Sequence, residues 1–190
     1  MWNDRLAYDY YEMIEGKKFM LASPNRRHAY IMSNIFVRLY LYLEENNVGR
    51  VFSDNMDVHL PDGNLVMPDV CVVCDKEAFK RGSTVYGVPD FVVEILSYST
   101  RRYDTAKKKD IYEKNGVKEY WIVNPWDKSV SVNILRDGKF ELDNIYTLLT
   151  EEEFAELNDE EKAEIKTEIK LSIFEDFTIS VKNIFSRIED

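Results

Sequence analysis

The sequence Phe-Val-Val-Glu-Ile-Leu at residues 91–96 is the stretch on which the predicted fold depends. Alternation along it puts apolar side chains on both faces, which is typical of a central strand buried on both sides. The exception is Glu94, whose carboxylate is costly to bury unless it is paired or bound to a cation. The run therefore predicts the centre of a sheet and, within it, a residue that needs a chemical partner.

A second acidic residue, Asp69, stands at the edge of another apolar strand-like run, residues 69–74. Two carboxylates, completed by water and substrate phosphate, suit Mg²⁺, which seldom uses an all-protein cage. Such a cation can lower the pKa of a bound water and neutralise charge on a scissile phosphate. Asp69 and Glu94 are therefore predicted metal ligands for phosphodiester hydrolysis, with Mg²⁺ as the expected ion and Mn²⁺ as the alternative.

The segment after the 91–96 strand predicts a helix that ends at Asn115-Gly116. Asp104, Lys108 and Tyr112 recur at four-residue spacing and so share one face of it. Lys108 could reach back over the strand end to the carboxylates, where an ammonium can orient a water or stabilise the pentavalent state. The alternative is an ordinary surface pair between Asp104 and Lys108, with Tyr112 simply packing.

Charge is unevenly distributed along the chain. The formal net charge of -10 and the pI near 4.8 argue against a protein that coats nucleic acid generally. Residues 97–118 are the exception, with seven Lys or Arg against three acidic residues. Arg101, Arg102 and Lys107 in this basic segment are candidates for phosphate contacts, the alternative being a solvated helix face.

The N-terminal part predicts a hairpin over residues 8–22 and then a helix, with Ser23 as N-cap and Pro24 at the first helical position. Apolar residues recur at helical spacing from Ile31 to Leu43, so this helix should lie on a sheet. His28 falls near its start on roughly the same side, where a satisfied histidine is favoured over a metal ligand.

One domain over residues 1–190 is expected, with an acidic helical insertion at 150–170. Cys71 and Cys74 have the spacing of a redox or zinc pair, but without a second pair they are interpreted as buried strand cysteines. No run is long and apolar enough for a membrane span, and the first residues lack a signal-peptide pattern. A cytoplasmic protein without membrane contact is expected.

The ordered set of these segments closely resembles the Uma-type family of putative restriction endonucleases. The matching positions are Met67–Val70, Gly87–Ser97, Ser99–Arg101, Asp104, Lys108, Tyr112 and Gly116–Trp121. A weaker resemblance extends through Tyr11-Glu12, Gly16, Ser23-Pro24 and His28 to Ile184-Phe185, and so covers nearly the whole chain.

The resemblance implies a variant of the PD-(D/E)xK nuclease fold, an α/β (α+β) restriction-endonuclease-like core with a central mixed sheet flanked by helices. It implies Asp69 and Glu94 as the metal carboxylates and Lys108 as a lysine displaced onto the helix, since Leu96 stands where the common motif carries Lys. It also matches Glu12 to an early acidic position that supports the metal, and it gives Asp104 and Tyr112 the role of orienting Lys108.

The function expected is Mg²⁺-dependent hydrolysis of DNA by a homodimer, because cutting two strands favours twofold symmetry. Two alternatives remain open at this point. One is a catalytically inactive nuclease-fold protein that binds nucleic acid or a protein partner, and the other is a structural oligomer without nucleic-acid contact.

Overall fold

The structure is a computed structural model, and it describes residues 10–21, 23–53, 56–97 and 104–188. Within these ranges the helices are α1 (Arg26–Asn46), α2 (Asp104–Asn115), α3 (Glu151–Glu156), α4 (Asp159–Glu164) and α5 (Val181–Ile184), with a 3₁₀ helix at Lys76–Phe79. The strands are β1 (Tyr11–Ile14), β2 (Lys17–Met20), β3 (Arg50–Ser53), β4 (Val58–His59), β5 (Leu65–Val66), β6 (Val70–Val73), β7 (Val85–Tyr86), β8 (Phe91–Ile95), β9 (Glu119–Asn124), β10 (Ser129–Arg136), β11 (Lys139–Thr147), β12 (Glu168–Lys170) and β13 (Thr178–Ser180).

The larger sheet is mixed and has β8 near its centre. Its six strands in the described part of the chain run in the order β11-β10-β9-β8-β6-β3. Strands β8 and β9 are parallel, and the other neighbours in this sheet are antiparallel. The α/β fold class with a central mixed sheet flanked by helices is therefore confirmed.

The two faces of this sheet bury two separate hydrophobic clusters. Phe91, Val93 and Ile95 of β8 pack in the cluster that receives the inner side of α1. Val92 points the other way, into the cluster that contains Ile111 of α2. The alternation predicted for residues 91–96 is thus present, and it directs Glu94 toward the α2 side.

A smaller sheet lies beside the first and was not anticipated from the sequence. Its strands run in the order β2-β1-β5-β4-β7, with β4 and β7 parallel and the other pairs antiparallel. Strands β1 and β2 form the predicted hairpin, and Glu15 and Gly16 take the positive φ angles of 50° and 75° that a tight two-residue turn needs.

Two local predictions need correction. Helix α1 begins at Arg26, and its N-cap is Asn25, whose side chain accepts a hydrogen bond from the His28 N–H. The prediction of Ser23 as N-cap and Pro24 as the first helical residue is wrong, because Asn25 is as good a cap and directly precedes the first helical residue, Arg26.

The acidic segment also differs from a continuous helix. It forms α3 and α4, each with a capping box, and the chain is again extended in β12 by Glu168. The description of residues 150–170 as an insertion in a single domain stays a prediction. In the ranges that the structure describes, no helix is long and apolar enough to cross a membrane.

Candidate active site

Asp69 lies directly before the start of β6, where this strand pairs with β8. It immediately precedes Val70, which pairs with Val93 in the antiparallel β6–β8 ladder. Its Oδ2 atom accepts a hydrogen bond from the Ile95 N–H at 2.6 Å. The side chain thus takes the place of a main-chain acceptor just where the ladder stops, which keeps its carboxylate beside Glu94.

Glu94 is held from above by two side chains of α2. Nζ of Lys108 lies 3.1 Å from each carboxylate oxygen of Glu94. The Tyr112 hydroxyl donates to Glu94 Oε1 at 2.7 Å. Because Lys108 and Tyr112 are one helical turn apart, both can point inward from the same face of α2 onto one strand residue.

Glu12 joins this cluster from the smaller sheet. It is buried on the inner face of β1, and its Oε1 lies 3.0 Å from Lys108 Nζ and accepts a hydrogen bond from the Met67 N–H at 2.8 Å. Its second oxygen, Oε2, is buried and has no hydrogen-bond partner among the residues that the structure describes. A lone buried carboxylate oxygen beside two further acidic groups is an unsatisfied acceptor that a cation could complete.

Burial and neighbouring charges shift the pKa values of two members of the cluster. The pKa of Glu94 is raised to about 8, with burial as the largest cause; the Asp69 and Glu12 carboxylates act in the same direction, against the lowering effect of Lys108 and Tyr112. Burial, together with the charges of Glu94 and Glu12, likewise raises the pKa of Tyr112 well above its usual range. Tyr112 therefore remains a hydrogen-bond donor at any ordinary pH.

His28 meets the cluster from the other side of the sheet. It lies in the first turn of α1, is buried, and places Nε2 3.1 Å from Asp69 Oδ2. The imidazole fixes the orientation of the Asp69 carboxylate, and both contacts recorded for this carboxylate are made to Oδ2. Through Nε2, His28 thus supports the carboxylate of one predicted metal ligand, Asp69.

The basic residues predicted to meet phosphate are only partly described. Lys107 is adjacent to the cluster, but its Nζ pairs with Glu15 Oε2 at 3.0 Å and lies 5.4 Å from the centre of the Phe19 ring. Arg101, Arg102 and the side chain of Asp104 lie outside the described residues.

The donor set fits a hard divalent cation, although it is not preassembled as a cluster of three ligands. In the described ranges no group of three His, Cys, Asp or Glu side chains has the geometry of a cation site. Lys108 lies between Glu12 and Glu94 and keeps them apart. The buried Oε2 of Glu12 has no hydrogen-bond partner among the described residues and is an open acceptor for a cation, and one or two carboxylates are enough for Mg²⁺.

Sequence reasoning anticipated the meeting of Lys108 with Glu94 but missed two contacts. Glu12 was identified only through the family resemblance. Its ion pair with Lys108 was missed because it depends on β1, a strand of the smaller sheet. The His28–Asp69 contact joins α1 to the residue before β6, and a histidine in a first helical turn gives no signal of its acidic partner.

Cys71 and Cys74 are free cysteines. Cys71 is buried in β6 and Cys74 is half-buried just beyond it, and burial raises the pKa of each thiol to about 12.

Comparisons with known proteins identify the family and agree with the fold. The family model Uma2, described as "Putative restriction endonuclease", matches residues 4–168. A similar solved structure is that of "a putative nuclease belonging to DUF820 from Anabaena variabilis ATCC 29413". It has a TM-score of 0.72 at 18% identity, over 95% of this chain and 92% of that chain. No curated protein matches the sequence.

Proposed function

Because the chain belongs to the Uma2 family of putative restriction endonucleases, we propose that it hydrolyses phosphodiester bonds of DNA with a divalent cation held by Asp69 and Glu94. The observation that carries the proposal is the position of Lys108. Its buried ammonium lies 3.1 Å from Glu94 and 3.0 Å from Glu12, and Asp69 is held beside Glu94 by the hydrogen bond from the Ile95 N–H.

Each side chain has a definite task in this proposal. Asp69 and Glu94 would hold the cation through their carboxylate oxygens. The Ile95 N–H and His28 orient Asp69, and Tyr112 orients Glu94. When bound, Mg²⁺ supplies Lewis acidity toward the scissile phosphate and acidifies a water. Mn²⁺, with similar preferences, is expected to replace it.

Lys108 supplies the positive charge that the strand motif lacks at Leu96. Its three N–H donors let it keep contact with an acidic neighbour while it orients the attacking water or stabilises charge on the pentavalent phosphorus. Glu12 supports this lysine from the smaller sheet, and its lone oxygen offers a further ligand or a contact to ordered water.

DNA is the proposed substrate because the family description names restriction endonucleases. Lys107, Arg101 and Arg102 belong to the basic segment next to Lys108 and are the proposed phosphate contacts. Cleavage of both strands of a duplex favours a twofold symmetric enzyme, so we propose a homodimer as the active form.

The proposal is tested by incubating purified protein with supercoiled plasmid in Mg²⁺, in Mn²⁺ and in chelator. Cleavage is expected with either ion and not with chelator. Glu94→Gln and Lys108→Ala should each lower the rate by about a hundredfold or more, which is typical for removal of one electrostatic group from an active site. Lys114→Ala is the matched control, since Lys114 is an exposed lysine on the same helix.

The outcomes separate the functional alternatives. Equal cleavage by the wild type and the Glu94 and Lys108 variants would exclude the assigned site. Salt-dependent DNA binding without cleavage in either ion would instead identify a nuclease fold that binds nucleic acid without cutting it.

A further inference from the structure

Helix α1 has a second apolar stripe on the side opposite its buried face. Its inner positions, such as Ile31 and Leu39, are buried in the sheet cluster. On the outer side Tyr30, Val37 and Leu41 are 43%, 45% and 61% exposed. A single exposed apolar residue is ordinary, but several on one helical face mark an interaction surface.

Tyr40 extends this stripe. It is 45% exposed, and its ring is stacked on that of Phe36 with a centroid distance of 6.1 Å. This contact restricts the ring before any partner arrives, so a contact through it costs less conformational entropy than one through a free side chain.

The two ends of the stripe carry opposite charges. Arg26 lies in the first turn of α1 and Glu44 in the last. Both are exposed, and neither makes an ion pair or side-chain hydrogen bond within the part of the chain that the structure describes. They are about five turns apart at about 3.6 residues per turn, so they lie on the same side of the helix as Tyr30 and Val37.

We propose that this outer face of α1 docks against the same face of a second copy of the chain, with the two helices antiparallel. The face consists of Arg26, Tyr30, Ser33, Val37, Tyr40, Leu41 and Glu44. The twofold axis passes the helix at the level of Ile35.

A twofold axis at this level pairs residues that are equally distant from Ile35 along the helix. Arg26 then faces Glu44 of the second copy, and Tyr30 faces Tyr40. In an isologous contact each such pair occurs twice, so one helix supplies both halves of every interaction.

The sequence of the stripe favours a second copy over an unrelated partner. A parallel arrangement would set arginine against arginine, whereas the antiparallel one matches opposite charges at both ends and aromatic rings between them. A partner of different sequence would need acidic, aromatic and basic residues in the matching positions, whereas a second copy of this chain supplies them when its helix runs in the opposite direction.

The size of the surface predicts the strength of association. A helix of 21 residues is about 30 Å long, and one helix pair buries less than the roughly 800 Å² per partner of a standard interface. The dimer is therefore expected to be weak and to dissociate on dilution.

This inference specifies a surface for the homodimer of the proposed function and rests on that function only for its biological meaning. Sedimentation measures association without cleavage, so a protein that cuts no DNA can still show the dimer, and a monomeric protein can still cut. Failure of one proposal is therefore distinguishable from failure of the other.

The apolar part is tested by analytical ultracentrifugation over about a hundredfold range of concentration, because a weak dimer dissociates on dilution. The wild type should shift from monomer to dimer. Leu41→Lys should remain monomeric, whereas Leu142→Lys, a matched control at a 55% exposed leucine on β11, should associate like the wild type. Equal association of all three proteins, or a wild type that is monomeric throughout, overturns the proposal.

The charged ends give a test with an internal rescue. Arg26→Glu alone and Glu44→Arg alone should each weaken association by about tenfold, because each places like charges together at both ends of the pair. The double variant restores opposite charges and should return to within about threefold of the wild type. Arg81→Glu, at an exposed arginine outside α1, is the control for net charge and should have no effect. A double variant that associates more weakly than either single one contradicts the antiparallel pairing.

Discussion

The buried ammonium of Lys108 contacts two carboxylates that belong to different sheets. Glu94 belongs to β8 of the larger sheet and Glu12 to β1 of the smaller one, and Lys108 lies within 3.1 Å of both. A buried ion pair adds little net stability compared with apolar packing, but loss of one member leaves an uncompensated charge. The same residue is therefore important both for the proposed chemistry and for the integrity of the site.

Replacement of Lys108 by methionine is accordingly expected to destabilise the metal-free protein. Removing one partner of a buried ion pair typically costs about 3–5 kcal/mol, and Met keeps most of the volume of the side chain. Denaturant unfolding in chelator measures the free energy of unfolding. Lys114→Met, at an exposed site on the same helix, should change it by less than about 0.5 kcal/mol. A similar loss of unfolding free energy in both variants would show that the ion pairs of Lys108 do not stabilise the protein.

Glu94 gives the protein a characteristic pH dependence. Its pKa is about 8 in the folded metal-free protein against a usual value of 4.5, mainly because of burial. The folded state binds the proton more tightly, so the stability from this group is fully present below pH 4.5 and is lost as the pH rises through about 8. We expect the wild type to lose stability relative to Glu94→Gln across this window, measured by unfolding in chelator.

Glu119 is a second buried acid with a raised pKa, and its effect on the pH dependence must be the same in both proteins of that comparison. Burial raises its pKa as well, against hydrogen bonds from Ser172 and Trp121 that lower it. It is present in both proteins and Glu94 is not among the causes of its shift, so its contribution cancels in the difference between them. A difference that does not change between about pH 5 and pH 8 would contradict the raised pKa of Glu94.

Among single residues, those with a local signal were predictable and those with a long-range partner were not. Glu94 was recognisable because a charged residue interrupts an apolar strand, and Lys108 because four-residue spacing puts it on one face with Tyr112. The ion pair of Glu12 joins positions almost one hundred residues apart, as about 96 positions separate it from Lys108. No periodicity within either segment encodes that distance.

At the scale of elements, helix α1 shows how a boundary can be misplaced while the element itself is predicted. The apolar spacing from Ile31 to Leu43 gave the helix and its buried face, which the structure confirms. The start was wrong because Ser23-Pro24 and Asn25 are competing signals, and propensity alone does not rank two good N-cap residues. The hydrogen bond from His28 N to Asn25 Oδ1, at 2.9 Å, decides the start at Arg26.

That hydrogen bond predicts different costs for two neighbouring substitutions. Asn25→Ala removes the cap and should lower the free energy of unfolding by about 1 kcal/mol. Ser23→Ala should leave it unchanged within about 0.5 kcal/mol, because Ser23 is exposed and does not cap the helix. Denaturant midpoints of the two variants measure the difference, and a larger loss for Ser23→Ala would restore the start inferred from the sequence.

The assembly of the smaller sheet was unpredictable for a related reason. Strands β4, β5 and β7 have only two residues each, too few for a pattern to specify which strands they pair with. Their partners can be distant in the sequence, as Met13 is from Leu65. Strand β10, by contrast, has eight residues and alternates Val130, Val132 and Ile134 with polar residues, enough for the pattern to predict a strand.

At the scale of the whole molecule, the net charge of -10 repels DNA, so DNA must approach the site where the local charge is positive. Phosphate is expected to meet the basic segment beside Lys108, and of its three proposed phosphate contacts Lys107 is the one that lies within the described residues. The ammonium of Lys107 is already engaged by Glu15, whose side chain is 63% exposed, and this contact lowers the pKa of Glu15. Phosphate must therefore compete with Glu15 for this lysine.

That competition predicts that an acidic residue outside the active site restrains DNA binding. Glu15→Gln removes the competitor and should increase affinity for duplex DNA, whereas Lys107→Ala should decrease affinity and reduce the salt slope by about 1, the loss of one phosphate contact. Fluorescence anisotropy at several salt concentrations in chelator, where no cleavage is expected, measures both quantities. Glu156→Gln changes the net charge equally at an exposed position on α3 and is the matched control. If it strengthens binding as much as Glu15→Gln does, the effect belongs to the overall charge, and Lys107 is not the residue that Glu15 withholds from the phosphate.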